Sequence, residues 1–200
     1  LERAEQVIAD EIARPAAAFA TNIHEVYLDL AVLGTAGLYV GWNEDKDCLL
    51  FQSRFLGELF IAENAAGQVD EVYRVFRLPV SKIVKTWGED VLPERLRFLV
   101  RQGKDEDCEI IHAVVPNPLY EKDSVFQKPM MSAYVLTDTQ TVLFSGGFDE
   151  IPLFVVRWSK ASGEVYGRSP AFSALPDIKM LQEMMRETLI AAQLANRPPV

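Results

Sequence analysis

The sequence predicts an α+β fold: an N-terminal helix, two antiparallel β regions separated by short helices, and a long C-terminal helix. Three observations carry that reading. Apolar residues recur at three-and-four spacing at both ends, from Val7 to Leu33 and from Ile178 to Leu194, which is the helical period. The middle is made of short runs rich in Leu, Val, Phe and Tyr, bounded by Gly, Pro and Asn-Asp clusters. These runs and the helices are grouped rather than alternating one for one, so a regular βαβ architecture is not expected. With 200 residues, 49% of them hydrophobic, the chain can bury roughly 70% of its unfolded surface. No disulfide or metal staple is needed for a core of that size, and Cys48 and Cys108, both in apolar runs, read as reduced thiols.

Residues 1–34 form the first segment. Pro15 is expected to kink or split its helix, and Gly34 to end it in the left-handed conformation that glycine tolerates. Residues 35–168 form the β-rich second segment. Strands are expected over 37–42, 48–55, 58–62 and 69–77, with a turn at Ala65-Ala66-Gly67. Pro79 and Pro93 open short helices near 79–87 and 93–102, closed by Gly88 and Gly103. A second β region follows over 108–115, 130–137, 141–144 and 153–158. Val115-Pro116-Asn117-Pro118 breaks its first strand, 122–127 reads as a loop, and Thr137-Asp138-Thr139-Gln140 as a hairpin turn.

Residues 169–200 form the third segment. Ser169 can cap a helix whose first turn holds Pro170, and Pro176 is expected to restart or kink it. Beyond Asp177 the apolar residues Ile178, Met180, Leu181, Met184, Met185, Leu189, Ile190 and Leu194 form too wide a set for one buried face. The helix is therefore expected to be buried on two sides, as happens when a helix is wedged between neighbours in an oligomer. The chain opens at Leu1 inside a helical pattern and closes on Arg197-Pro198-Pro199-Val200; a piece of something longer is expected.

Charge and chemistry narrow the function. A net charge of −9 argues against a protein whose main work is to hold nucleic acid through phosphate contacts. The charge is uneven: residues 43–71 carry seven acidic and two basic side chains, and residues 74–104 eight basic and three acidic. These blocks read as two solvated faces, or as complementary faces on adjacent subunits. No apolar run reaches the about 18 residues of a membrane span, so no membrane is expected. His24 and His112 lack Cys, His or carboxylate partners at metal-ligand spacing. Glu44-Asp45 and Asp105 to Asp107 sit in turn-like runs rather than a catalytic cleft. The Gly163 to Ser169 run lacks the lysine and spacing of a phosphate-binding loop; its glycines read as a tight turn, and Arg168 as the partner of a carboxylate or backbone carbonyl. No catalytic residue, no metal and no cofactor is expected.

The same run carries a resemblance. Arg157-Trp158, then Gly163-Glu164-Val165-Tyr166-Gly167-Arg168-Ser169-Pro170-Ala171, then Ala174-Leu175-Pro176-Asp177-Ile178-Lys179 closely resembles the signature of the head-to-tail connector, or portal, proteins of short-tailed bacteriophages. Gly34-Thr35-Ala36-Gly37-Leu38, the stretch from Gly67 to Arg74, and Ile111-His112-Ala113-Val114 fit the same family. The resemblance implies a homo-oligomeric ring, usually of twelve subunits, at one vertex of the capsid, through which double-stranded DNA is packaged and later ejected. It further implies terminase, capsid or scaffold, and tail proteins as partners, assembly in the bacterial host cytoplasm and a place in the virion. Residues 35–168 would then be the wing region and 169–200 a helix leading toward the stem. Ile178, Leu181, Met184, Met185 and Leu189 become the candidates for the subunit interface. The acidic balance suits a channel along which DNA must slide, because each phosphate neutralised adds binding free energy that motion has to overcome. Two other readings stand beside this one: a non-enzymatic interaction module of another assembly, and an enzyme whose catalytic partners lie outside these residues. The two-sided apolar helix disfavours the first, and the poor inventory of nucleophiles and bases the second.

Overall fold

Pro15 splits the N-terminal pattern in two: α1 (Glu2–Ala13), a 3-10 turn (Pro15–Ala17), and α2 (Phe19–Leu33). Gly34 ends α2 at φ +80°, donating to the carbonyls of Leu30 and Asp29, as a left-handed cap requires. The structure is a computed structural model and describes residues 2–121 and 127–196. The strands are β1 (Thr35–Asn43), β2 (Cys48–Arg54), β3 (Leu59–Glu63), β4 (Val69–Pro79), β5 (Asp107–Pro116), β6 (Met130–Leu136), β7 (Thr141–Phe148) and β8 (Leu153–Arg157). Between β4 and β5 come α3 (Val80–Trp87) and α4 (Glu94–Arg101), and the described chain ends on α5 (Pro170–Asn196). The loop expected over 122–127 lies almost wholly outside the described residues, as does the end of the last segment, 197–200.

The architecture is the expected α+β, with two antiparallel sheets, but the two β regions of the sequence are not the two sheets. One sheet has three strands in the order β2-β1-β8, and the other five in the order β3-β4-β5-β6-β7. Strand β8 therefore returns to β1, pairing Thr35 with Arg157 and Tyr39 with Leu153, while β4 pairs with β5 across the two short helices. Strand β7 runs on through Gly146-Gly147 to Phe148, longer than the pattern of large apolar residues showed.

Burial alternates strictly along β5, with Cys108, Ile110, His112 and Val114 all inward, the period of a half-buried strand. The inner face of the large sheet is covered in two halves. At one end α3, α4 and the segment between them pack Val80, Ile83, Leu92 and Leu96 onto Phe76, Ile110, Leu136 and Leu143. At the other end the small sheet packs Leu153, Tyr39 and Val155 onto Leu59, Val72 and Val114. The small sheet's second face takes α2, where Val26 and Leu30 meet Ala36. Cys48 and Cys108 are buried and unpaired.

Among the described residues the two charge blocks meet at one ion pair, Arg74 with Glu58, and the other paired arginines of residues 74–104 find carboxylates outside residues 43–71. Arg74 pairs with Glu58 at 2.8 Å, Arg95 with Glu106 at 2.9 Å, Arg101 with Glu89 at 3.5 Å and Arg77 with Glu109 at 3.6 Å. Arg97 donates to the carbonyls of Leu92 and Asp90.

Candidate functional site

Four chain segments converge where α2 ends, β1 begins, β8 ends and α5 starts. Gly34 is at the centre, its carbonyl accepting from the Trp158 N–H at 2.9 Å. A Cβ added at Gly34 would collide with the backbone of Ser169 and Arg168, and one at Gly167 with the Gly34 carbonyl. Both positions need glycine because backbone meets backbone there. The Gly167 N–H donates to Oγ1 of Thr35 at 2.7 Å, and Thr35 is fully buried. The Arg168 N–H donates to the Ser159 carbonyl at 2.6 Å, closing the turn that Gly163 makes possible at φ +81°. Ser169, itself buried, then caps α5: its Oγ accepts from the Phe172 N–H at 3.0 Å.

The charged members of the signature tie this junction to the large sheet. Arg157 pairs with Glu63 at the end of β3 and also donates to the carbonyls of Val165 at 3.1 Å and Gly67 at 3.3 Å. Lys160 donates to the same carboxylate at 2.6 Å. The hydrogen bonds from Lys160 and Arg157 hold the Glu63 carboxyl below the usual carboxylate range. The Tyr166 hydroxyl donates to the Leu59 carbonyl and accepts from the Ile61 N–H, both at 3.3 Å. Arg168 reaches a carboxylate, as its sequence context suggests: it pairs with Glu164 at 2.6 Å on the surface, and that bond lowers the Glu164 carboxyl.

The signature therefore divides. Arg157, Trp158, Gly163, Glu164, Tyr166, Gly167, Arg168, Ser169 and Pro170 belong to the junction. Leu175, Pro176, Asp177 and Lys179 lie exposed along α5. That helix runs through Pro176 without restarting, although the proline has no N–H to give the preceding turn. None of its described residues is buried: Ile178, Leu181, Met184, Met185 and Leu189 are between 42% and 68% exposed. Beside its first turn a surface groove of about 620 Å³ is lined by Val32, Leu33, Tyr166 and Phe172.

Sequence reasoning missed Thr35, Glu63 and Lys160 as partners of the signature. Nothing local distinguishes them. It also missed the seam between the two halves of the inner face, where His112 stacks on Tyr134 with ring centroids 3.9 Å apart and bonds the Ser132 hydroxyl at 3.0 Å. Burial, then Arg74 and Arg54, pushes this imidazole down to about 4, so it is neutral at pH 7. Among the described residues no group of three or more His, Cys, Asp and Glu side chains could hold a metal ion, and no helix is long and apolar enough to cross a membrane.

This arrangement is a brace: it fixes the direction in which a solvent-exposed helix leaves a two-sheet body. The family described as "Bacteriophage head to tail connecting protein" matches the chain over residues 1–200. The chain belongs to that head-to-tail connecting family. Among curated relatives, the "Probable portal protein" of Bordetella phage BPP-1 is 28% identical over 184 residues, 89% of this chain and 33% of the relative. The "Portal protein" of Salmonella phage epsilon15 is 27% identical over 181 residues, 88% of this chain and 32% of the relative. The chain thus spans about a third of the length of the curated relatives it matches.

Proposed function

We propose that this chain is the wing region, with the helix that leads toward the stem, of a subunit in a portal ring at the capsid vertex, where it helps to form the channel for DNA packaging and ejection and joins head to tail. The wing is residues 35–168, and the stem begins within 169–200. The observation that carries this reading is α5: 27 residues with no buried side chain, held at its root by a buried cap and a glycine-to-glycine backbone contact. Exposed apolar side chains in such number mark a surface that meets another protein. A ring buries it by repetition, and the brace gives every copy the same exit direction. The chain's part is structural rather than catalytic, and its partners are other copies of itself, terminase, capsid or scaffold, and tail proteins, with DNA passing in weak contact. It is assembled in the host cytoplasm and carried in the virion.

The test is native mass measurement and negative-stain imaging of the intact protein that carries this segment. A closed ring with a central channel is expected; a monomer would overturn the proposal and favour an interaction module of another assembly.

A further inference from the structure

The small sheet has room for a second helix. A helix about 10 Å wide covers roughly two strands spaced about 4.8 Å apart, and α2 packs on β1 and β2. Its orientation is fixed by Ser53 of β2, whose N–H donates to Asn22 and whose hydroxyl donates to Glu25. Those residues mark the β2 flank of α2. Tyr27 projects from the opposite flank, toward β8, and is 63% exposed. On β8, Leu153 and Val155 face inward, so Phe154 and Val156 face the side that α2 occupies, and they are 50% and 45% exposed. Trp158, just past the strand, is 60% exposed. Together these four side chains form an open apolar bay beside α2, floored by one strand.

We propose that the bay receives α5 of an adjacent copy of this chain, through its stripe of Leu181, Met185 and Leu189. This rests on the ring reading above and specifies which faces meet. The chain's own α5 does not fill the bay, whose side chains stay exposed: its first turn lies beside the end of α2, where Phe172, Val32 and Leu33 line one groove, and among the described elements its main contacts are with α2. Each chain thus carries one open bay and one apolar helix, and a head-to-tail contact between unlike faces is what closes a ring. The sizes agree. Covering the four bay side chains removes on the order of 400 Å² from water, and the helix stripe contributes about as much. With a polar rim, that apolar centre reaches the roughly 1,200 Å² of a specific interface.

The test is cross-linking in the intact protein. Val156→Cys is combined in turn with Leu181→Cys and with Met185→Cys, and treated with a short bismaleimide. Cys48 and Cys108 are buried, and the wild type, treated in the same way, is the blank for every native cysteine. At least one pair is expected to give a ladder of dimers, trimers and higher species up to the full ring, while each single variant gives none. Rings without a ladder from either pair overturn the docking and leave the ring reading standing. A cross-link from Met185→Cys alone would show α5 meeting α5, and a ladder from Met131→Cys with Met185→Cys would move the contact to the outer face of the large sheet; either overturns the proposal. Absence of rings overturns both readings.

Discussion

Thr35 shows how much one side chain can carry. It is fully buried, and its Oγ1 is the acceptor for the Gly167 N–H. Thr35→Val keeps the shape and leaves that N–H unsatisfied, which costs about 1–3 kcal/mol; Thr35→Ser should restore most of the loss, as read by chemical denaturation of the intact protein. Gly34→Ala combines a positive φ with a backbone collision and should cost more, about 2–4 kcal/mol. His112 adds a pH dependence. Its unfolded pKa is near 6.5 and its folded value about 4, so between those values the unfolded chain binds the extra proton. The stability is complete above pH 6.5 and is lost as pH falls toward 4, by an amount on the order of 3 kcal/mol. The denaturation midpoints of wild type and His112→Gln, compared at pH 7 and pH 4.5, should converge at the lower pH. A gap of the same size at both would contradict a neutral buried imidazole.

At the scale of elements, the boundaries were legible because glycine and proline act locally. Pro15, Gly34, Gly88 and Gly103 each end or split a helix, the three glycines at positive φ, and Ser169-Pro170 starts one. What each element packs against was not legible. Strand β8 follows β7 in sequence yet pairs with β1, and no local pattern encodes a partner so distant in the chain. The site followed the same division. The turn at Gly163 and the Arg168 carboxylate pair could be read from neighbours, whereas the contact of Gly167 with Gly34, and of Arg157 with Glu63, joins residues of wholly separate segments. Pro176, the seventh residue of α5, does not restart the helix, which is continuous from Pro170 to Asn196. Removing the cap of α5 with Ser169→Ala should cost about 1 kcal/mol, measurable as a lower denaturation midpoint.

For the whole molecule, the net charge of −9 opposes phosphate binding, and four of the five arginines of residues 74–104 already pair with carboxylates of the chain. Binding to duplex DNA should be weak and should disappear as salt rises toward physiological strength, which fluorescence anisotropy across a salt series would show. Tight binding at physiological salt would contradict the account of a wall past which DNA slides. The central claim, however, is that α5 is an interface. Met184→Glu would place a lone carboxylate in a surface that is dry in the ring, where desolvation costs several kcal/mol, and in a position that is 59% exposed in the single chain. Sizing chromatography of the intact protein, with circular dichroism to follow folding, should show wild-type rings and folded, unassembled mutant chains. Mutant rings as stable as the wild type would contradict it.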